Sequence, residues 1–288
     1  MSMKSPLIAI TVSILSAVPA PAQSTIDPAK PYVWGSNIGW LNARPSSADG
    51  VRTTEAVCSG YLWSANVGWI HLGDGSPANG IRYSNTVGDY GVNVMPDGVL
   101  RGFAWGANIG WVNFEETGNP RISLVSGNLR GYAYGANIGW LNLAADTAST
   151  TALAITDIDS DRISDAWEKE RASGNLNTLK TPGDADGDGQ SDLAEFIADT
   201  DPIDPSDRLR VVSFSQTGNG ALVDLVFTSR TSRFYQVKSS SSLAAADWTD
   251  VGLGQLTGQA VSTSVNFGGT PAVARFYRVE ARRPLSGP

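Results

Sequence analysis

The feature that most restricts the fold of this chain is a unit repeated four times: YVWGSNIGWLN from Tyr32, YLWSANVGWIH from Tyr61, FAWGANIGWVN from Phe103 and YAYGANIGWLN from Tyr132. Self-similar segments bury their apolar side against their neighbours, so the four copies are expected to build one β-repeat domain over residues 23–146. The starts lie 29, 42 and 29 residues apart, so the middle interval carries 13 extra residues. Each copy sets two aromatics before a Gly- and Asn-containing turn and a Trp after it, which is a hairpin pattern. Asn37, Asn66, Asn108 and Asn137, with Gly39, Gly68, Gly110 and Gly139, are expected to supply left-handed turn positions.

Strand alternation gives each hairpin two faces. Val33, Leu62, Ala104, Ala133, Leu41, Ile70, Val112 and Leu141 form an aliphatic face, which must be buried. On the other face Trp34 opposes Trp40, Trp63 opposes Trp69, Trp105 opposes Trp111 and Tyr134 opposes Trp140, beside Asn42, His71, Asn113 and Asn142. That face has two readings. It is a second packed layer of a sandwich or closed barrel, or it is exposed, its rings stacking on sugar rings while the amides bond hydroxyl groups. The unit resembles a Trp-rich repeat of secreted bacterial surface proteins, a likeness that brings no activity with it. Further short strands are expected between the copies, and barrel, sandwich and radial arrangements all stay open.

Residues 157–207 hold 15 acidic and 4 basic residues, a formal charge of −11 in a chain whose net charge is −7. The acidity is spaced. Asp157, Asp159, Asp161, Asp165 and Glu168 fall at positions 1, 3, 5, 9 and 12 of one loop, and Asp184, Asp186, Asp188, Asp192 and Glu195 fall at the same positions of a second. Calcium takes six to eight hard oxygen ligands, and a loop of this spacing supplies carboxylates, a backbone carbonyl at position 7 and a bidentate Glu at position 12. Ile163 and Gln190 stand at position 7. Position 6 is Gly189 in the second loop but Arg162 in the first, where a left-handed turn carries a steric cost, so the second site is expected to be the tighter. A solvated acidic linker is the competing reading.

This stretch resembles the bacterial form of the thrombospondin type 3 calcium repeats, whose Asp-rich loops close on a Glu; Thr200, Asp201 and Pro202 suit those repeats too. The resemblance implies Ca²⁺ as cofactor and a connector rather than a catalytic domain. A paired EF-hand fits less well, because Thr181, Pro182 and Gly183 leave no entering helix before the second loop. Trp167, Phe196 and Ile197 are expected to form a core too small to fold without ions.

At the start, Lys4, the apolar run Leu7 to Val18, and Ala20 and Ala22 read as a signal peptide over residues 1–22. The run is too short for a transmembrane anchor. The expected location is therefore secreted, with release, the cell surface and the periplasm all open. With one cysteine, Cys58, no intrachain disulfide can form, which leaves bound calcium as a substitute cross-link.

Residues 147–156 read as a linker. From 208 to 288, alternating strands separated by Gly and Ser clusters suggest a small sandwich of immunoglobulin-like size, with Trp248 as a core anchor. Tyr235, Val237, Leu243, Trp248 and Phe276 to Val279 resemble a module that ends many secreted, calcium-repeat-bearing bacterial proteins. The fold expected is thus mainly β, made of a β-repeat domain, a short calcium-loop and helix connector and a C-terminal immunoglobulin-like sandwich. The 31 Gly and 15 Pro agree with a turn-rich β protein.

No enzyme is expected. The single His71 stands where the other copies have Asn, no nucleophile elbow occurs, and Glu115 and Glu116 read as an edge-strand charge pair rather than glycosidase carboxylates. No basic patch points to nucleic acid. The expected function is a calcium-binding structural or adhesive protein with a glycan or protein partner outside the cell; carbohydrate binding through the aromatic face is the alternative.

Overall fold

The computed structural model describes residues 23–244, 247–269 and 275–286, so the expected signal peptide lies outside the described residues. Four hairpins hold the repeat copies: Ile26–Gly35 with Gly39–Asn42, Tyr61–Ser64 with Gly68–His71, Leu100–Gly106 with Gly110–Asn113, and Tyr132–Gly135 with Gly139–Asn142. They join edge to edge in one recurring register. The last residue of each unit lies opposite the second aromatic of the next: Asn42 opposite Trp63, His71 opposite Trp105, Asn113 opposite Tyr134, and Asn142 opposite Trp34. The last of these pairs returns to the first hairpin and closes an eight-stranded antiparallel barrel, leaving no open edge in the ring.

Closure decides which face is inside. An eight-stranded barrel has an interior that side chains can just fill, and here the filling is the aliphatic face: Leu41, Ile70, Ala104, Val112 and Leu141 are 0% exposed. The reading of the aromatic face as a second packed layer is therefore overturned. Among the described residues no second sheet covers it, and eleven of its twelve ring positions are exposed.

The turns correct a second expectation. Gly39, Gly68, Gly110 and Gly139 are left-handed, with φ between 72° and 81°, but the repeat asparagines are not. Their amides reach sideways instead. Asn66 Nδ2 donates to Ile38 O at 2.9 Å, Asn108 Nδ2 to Val67 O at 3.0 Å and Asn137 Nδ2 to Ile109 O at 3.0 Å, so the second, third and fourth turns are each clasped to the one before.

Beneath these clasps an apolar side chain from each turn plugs the barrel end, and residues 35 and 38 are matched to it. A Cβ on Gly35 would lie 2.5 Å from Ile38 Cγ1, and Gly106 and Gly135 meet Ile109 and Ile138 in the same way at 2.7 and 2.6 Å. The second copy has Ser64 in place of the glycine and the smaller Val67 in place of Ile, a compensation of volume that keeps the packing.

The 13 extra residues of the middle interval lie between the second and third hairpins. Part of this insertion pairs with the barrel, Val92–Val94 against Leu100–Gly102; part folds as a loop over the outer face. Residues Ala148–Thr150, inside the stretch expected to link, pair with the first strand and are buried.

Two short helices, α1 (Asp165–Arg171) and α2 (Asp192–Ala198), begin inside the two acidic loops. Trp167 and Phe196 meet edge to face with centroids 5.4 Å apart, over Ile163, Ala172 and Leu179. Ile197, expected in this core, lies outside it.

The strands that follow α2 form two antiparallel sheets. One joins Val211–Thr217, Leu222–Thr228 and Ser262–Gly268; the other centres on Phe234–Ser240, paired along its length with Phe276–Arg282. Val223, Leu225, Phe227, Tyr235, Val237 and Phe267 fill the space between them. Trp248 is half-buried rather than a core anchor, with the Arg278 guanidinium 4.3 Å over its ring.

Arginines fasten the three regions. Arg233 donates through Nε to Ile197 O and through Nη2 to Phe196 O at the end of α2, at 3.0 and 2.9 Å. Arg283 binds Glu55 at 2.6 Å, and Arg82 of the insertion binds Glu170 of α1 at 3.1 Å.

Candidate metal loops and the aromatic belt

The two acidic loops have the same backbone plan. Position 4 is left-handed in both, Ser160 at φ 64° and Gly187 at 76°, and so is position 6, Arg162 at 76° and Gly189 at 94°. Position 1 ties each loop to itself. Asp157 accepts from the amides of Asp161 and Arg162 at 3.1 and 2.9 Å, and Asp184 from those of Gly187 and Gly189 at 2.9 and 3.0 Å. The amides of Ile163 and Gln190 donate to Asp161 and Asp188 at 2.8 and 2.7 Å, placing the position 7 residues alike.

What this arrangement leaves unbonded is informative. Glu168 is fully buried and neither of its carboxylate oxygens has a partner; Glu195, equally buried, leaves Oε2 without one. Asp161, Asp165 and Asp186 each keep one buried oxygen unbonded as well, and Asp188 keeps one that meets only the Arg208 guanidinium, at 3.7 Å. A buried acceptor without a donor costs about 1–3 kcal/mol, and more when charged. Carboxylate oxygens of Asp157, Asp159 and Asp165, of Asp159, Asp161 and Glu168, and of Asp184, Asp186 and Asp188 lie within 4.8 Å of one another. Two oxygens on a shared calcium at about 2.3–2.6 Å can be no farther apart than roughly 5 Å. The donor set fits a hard divalent cation.

Position 9 differs between the loops. In the first, Asp165 accepts from the Ile158 amide at 2.9 Å through one oxygen and keeps the other free. In the second, both oxygens of Asp192 accept, from the amides of Ala185 at 2.8 Å and Lys180 at 3.0 Å, so Asp192 also braces its loop, as Asp157 and Asp184 do at position 1.

Electrostatics follow from the crowding. Burial first, and the neighbouring carboxylates second, push the Glu168 and Glu195 carboxyls up to about 8 from 4.5. Asp161 and Asp186 are also raised, by burial above all. A cation at the loop centres removes both causes, since it replaces lost hydration and offsets the like charges.

On the barrel, Trp34, Trp40, Trp63, Trp69, Trp105, Trp111, Tyr134 and Trp140 form an outward belt, each 38–52% exposed. Facing rings within a hairpin meet at centroid distances of 4.7–5.0 Å with planes inclined by 54–70°. Such contacts fix ring orientation while leaving much of each face to solvent. Asn42, Asn113 and Asn142 bond through Oδ1 to the amides of Arg44, Glu115 and Ala144, which leaves their Nδ2 groups free as donors beside the rings.

Comparison with known proteins finds no matching family model, curated protein or solved structure.

Two residues have roles that the sequence did not announce. Tyr90, from the insertion, lies over the belt with its hydroxyl 2.8 Å from His71 Nδ1 and its ring 5.0 Å from that of Trp111. The signals were the longer middle interval and the His in an Asn position. Asp199, the left-handed C-cap of α2, receives Trp167 Nε1 at 3.0 Å and Arg171 at 3.1 Å, and binds Ser232 of the C-terminal region.

Cys58 and Glu115 both sit in structural surroundings. Burial pushes the Cys58 thiol up to about 12, which suppresses its thiolate. Glu115 accepts from the Gly102 amide at 2.7 Å and stands 3.8 Å from Arg101, a structural placement. The Glu116 side chain lies outside the described set.

Proposed function

We propose that this chain is a secreted, calcium-binding modular protein without catalytic activity, serving a structural or adhesive role. Two calcium ions, one per acidic loop, stiffen the connector between the barrel and the C-terminal sheets. The observation that carries this reading is Glu168, a fully buried carboxylate with both oxygens unpartnered at position 12 of a loop whose other carboxylates converge on the same space. Calcium bound there would satisfy those oxygens. Asp157, Asp159, Asp161, Asp165, Glu168 and the Ile163 carbonyl would serve the first ion, and Asp184, Asp186, Asp188, Asp192, Glu195 and the Gln190 carbonyl the second. The resemblance to thrombospondin type 3 repeats supports the same ligand set, and the apolar leader supports export. The C-terminal pair of sheets is read as an immunoglobulin-like accessory module.

Isothermal titration of the metal-free mature protein tests the proposal. Two sites are expected, with Kd near 10⁻⁴ to 10⁻³ M as in extracellular modules. At 100-fold saturation each contributes about 2.7 kcal/mol. For two sites at roughly 2–4 °C per kcal/mol, chelation then lowers Tm by roughly 10–20 °C. Absence of binding, with melting unchanged by chelator, rejects it.

The exposure of the belt favours a second reading: the barrel binds carbohydrate outside the cell. A glycan array with the intact, calcium-loaded protein tests it, and binding unaffected by Trp40→Ala, Trp69→Ala and Trp140→Ala combined would count against it.

A further inference from the structure

The four belt segments share one motif, yet they are not equivalent. The insertion folds over the third hairpin and turns its flat aromatic surface into a cleft of about 820 Å³, lined by Asn85, Val87, Tyr90, Phe103, Trp105 and Trp111 among others. Ligand clefts commonly span about 300–1,000 Å³ and combine apolar walls with a few placed polar groups. The wall is built firmly. Ser84 N donates to Asp89 Oδ2 at 2.8 Å, Thr86 and Asp89 exchange backbone hydrogen bonds at 3.2 and 3.1 Å, and Gly91 N donates to Asn85 Oδ1 at 3.2 Å. At the tip Val87 is fully exposed, an apolar side chain at the cleft mouth.

The repeat itself has been altered to hold this wall. His71 replaces the Asn found at the end of the other three units, and its ring does what an amide is too short to do: it reaches the Tyr90 hydroxyl. Tyr90 then stands nearly perpendicular to Trp111, at an interplanar angle of 84°, making the second wall of a slot whose floor is the third hairpin.

We propose that this cleft is the principal ligand subsite of the barrel and that it takes one ring of a neutral polysaccharide. The inference rests on the reading of the belt as a glycan surface and adds where the tightest contact lies. Three features select this chemistry. No charged side chain lines the cleft, so an ionic ligand finds no counter-charge there. Aromatic faces stand beside amide and hydroxyl groups, Asn85 and Thr86, which suits a ring with one apolar face and hydroxyls at its rim. The aromatic pair recurs on the three other hairpins, with an Asn amide beside it on the first and fourth, and a repeating surface matches a repeating ligand, whose successive units gain from effective concentration once the first is held.

The test uses the intact calcium-loaded protein titrated with neutral hexasaccharides (cellohexaose, maltohexaose, xylohexaose and mannohexaose) followed by tryptophan fluorescence and calorimetry. At least one is expected to bind saturably. Tyr90→Ala is expected to weaken it at least tenfold. His71→Asn, which restores the residue of the other copies and leaves the barrel pairing intact, should weaken it severalfold. Trp40→Ala, on the first hairpin, should change it less than threefold. Equal losses from Tyr90→Ala and Trp40→Ala overturn the subsite while leaving the glycan surface standing. If no hexasaccharide binds, both fall. Dimerisation abolished by Tyr90→Ala, without sugar binding, makes a second copy the occupant and also overturns the proposal.

Discussion

Arg162 and Gly189 hold the same left-handed backbone at the sixth position of their loops, at φ 76° and 94°. For an L-residue this conformation costs roughly 1–2 kcal/mol, and glycine avoids it at the expense of about 0.5–1 kcal/mol of chain entropy. Arg162→Gly is therefore expected to stabilise the calcium-loaded protein, raising Tm by roughly 2–4 °C for a gain near 1 kcal/mol. Scanning calorimetry with calcium present checks it; a lower Tm sinks the strain argument.

Glu195→Gln removes the position 12 carboxylate from the second loop while keeping its volume. Its carboxylate is fully buried and bonded only through Oε1, to Thr200, so the substitution should reduce calcium stoichiometry from two ions to one. Calorimetric titration reads the number directly, and two ions still bound would remove Glu195 from the ligand set.

Stability of the metal-free protein should depend on pH in one direction. Glu168 and Glu195 have carboxyls raised to about 8 by burial and neighbouring charge, above their unfolded value near 4.5. A raised carboxyl holds its proton more tightly when folded, so its stabilising contribution is complete below pH 4.5 and is lost as pH climbs through 8. Metal-free Tm is expected to fall from pH 5 to pH 8, and calcium to abolish much of that fall. A metal-free Tm that rises across the window contradicts the burial of these two groups.

Neighbouring barrel residues should respond oppositely to truncation. Leu41 is 0% exposed and Trp40 is 52% exposed. Leu41→Ala leaves a cavity in a close-packed interior and is expected to cost about 2–5 kcal/mol, whereas Trp40→Ala, despite its larger volume change, should cost under about 1.5 kcal/mol. Urea unfolding of both variants decides whether the barrel is filled by aliphatic side chains.

Arg233 is 6% exposed and donates to two carbonyls at the end of α2. Arg233→Ala strands both acceptors, at about 1–3 kcal/mol each. The C-terminal sheets should then melt separately from the connector, visible as a second calorimetric transition. A single unchanged transition would show that Arg233 does not couple them.

The hairpins were legible because their information is local. Alternation fixed which residues share a face, and the observed partners Trp34 and Trp40, or Tyr134 and Trp140, follow from turn placement alone. Carboxylate spacing likewise located the two acidic loops. Asn66, Asn108 and Asn137 were misread because turn propensity describes a residue's own backbone, while their amides act on the preceding copy, 28 or more residues away. Spacing marked Asp192 as a candidate ligand but did not show that its two oxygens also accept the amides of Ala185 and Lys180 and so brace the loop.

Periodicity and composition, taken alone, determined a mainly β chain with four equivalent hairpins, an aliphatic side that had to be buried and an acidic connector of regular spacing. Tertiary structure decided that Asn142 meets Trp34 and shuts the ring, and that the insertion brings Tyr90 to His71. The reason is physical. An amphipathic strand states only that one side must leave water, whereas barrel closure, a pairing between residues more than a hundred positions apart, sends the aliphatic side to the interior and leaves the larger aromatic rings facing out.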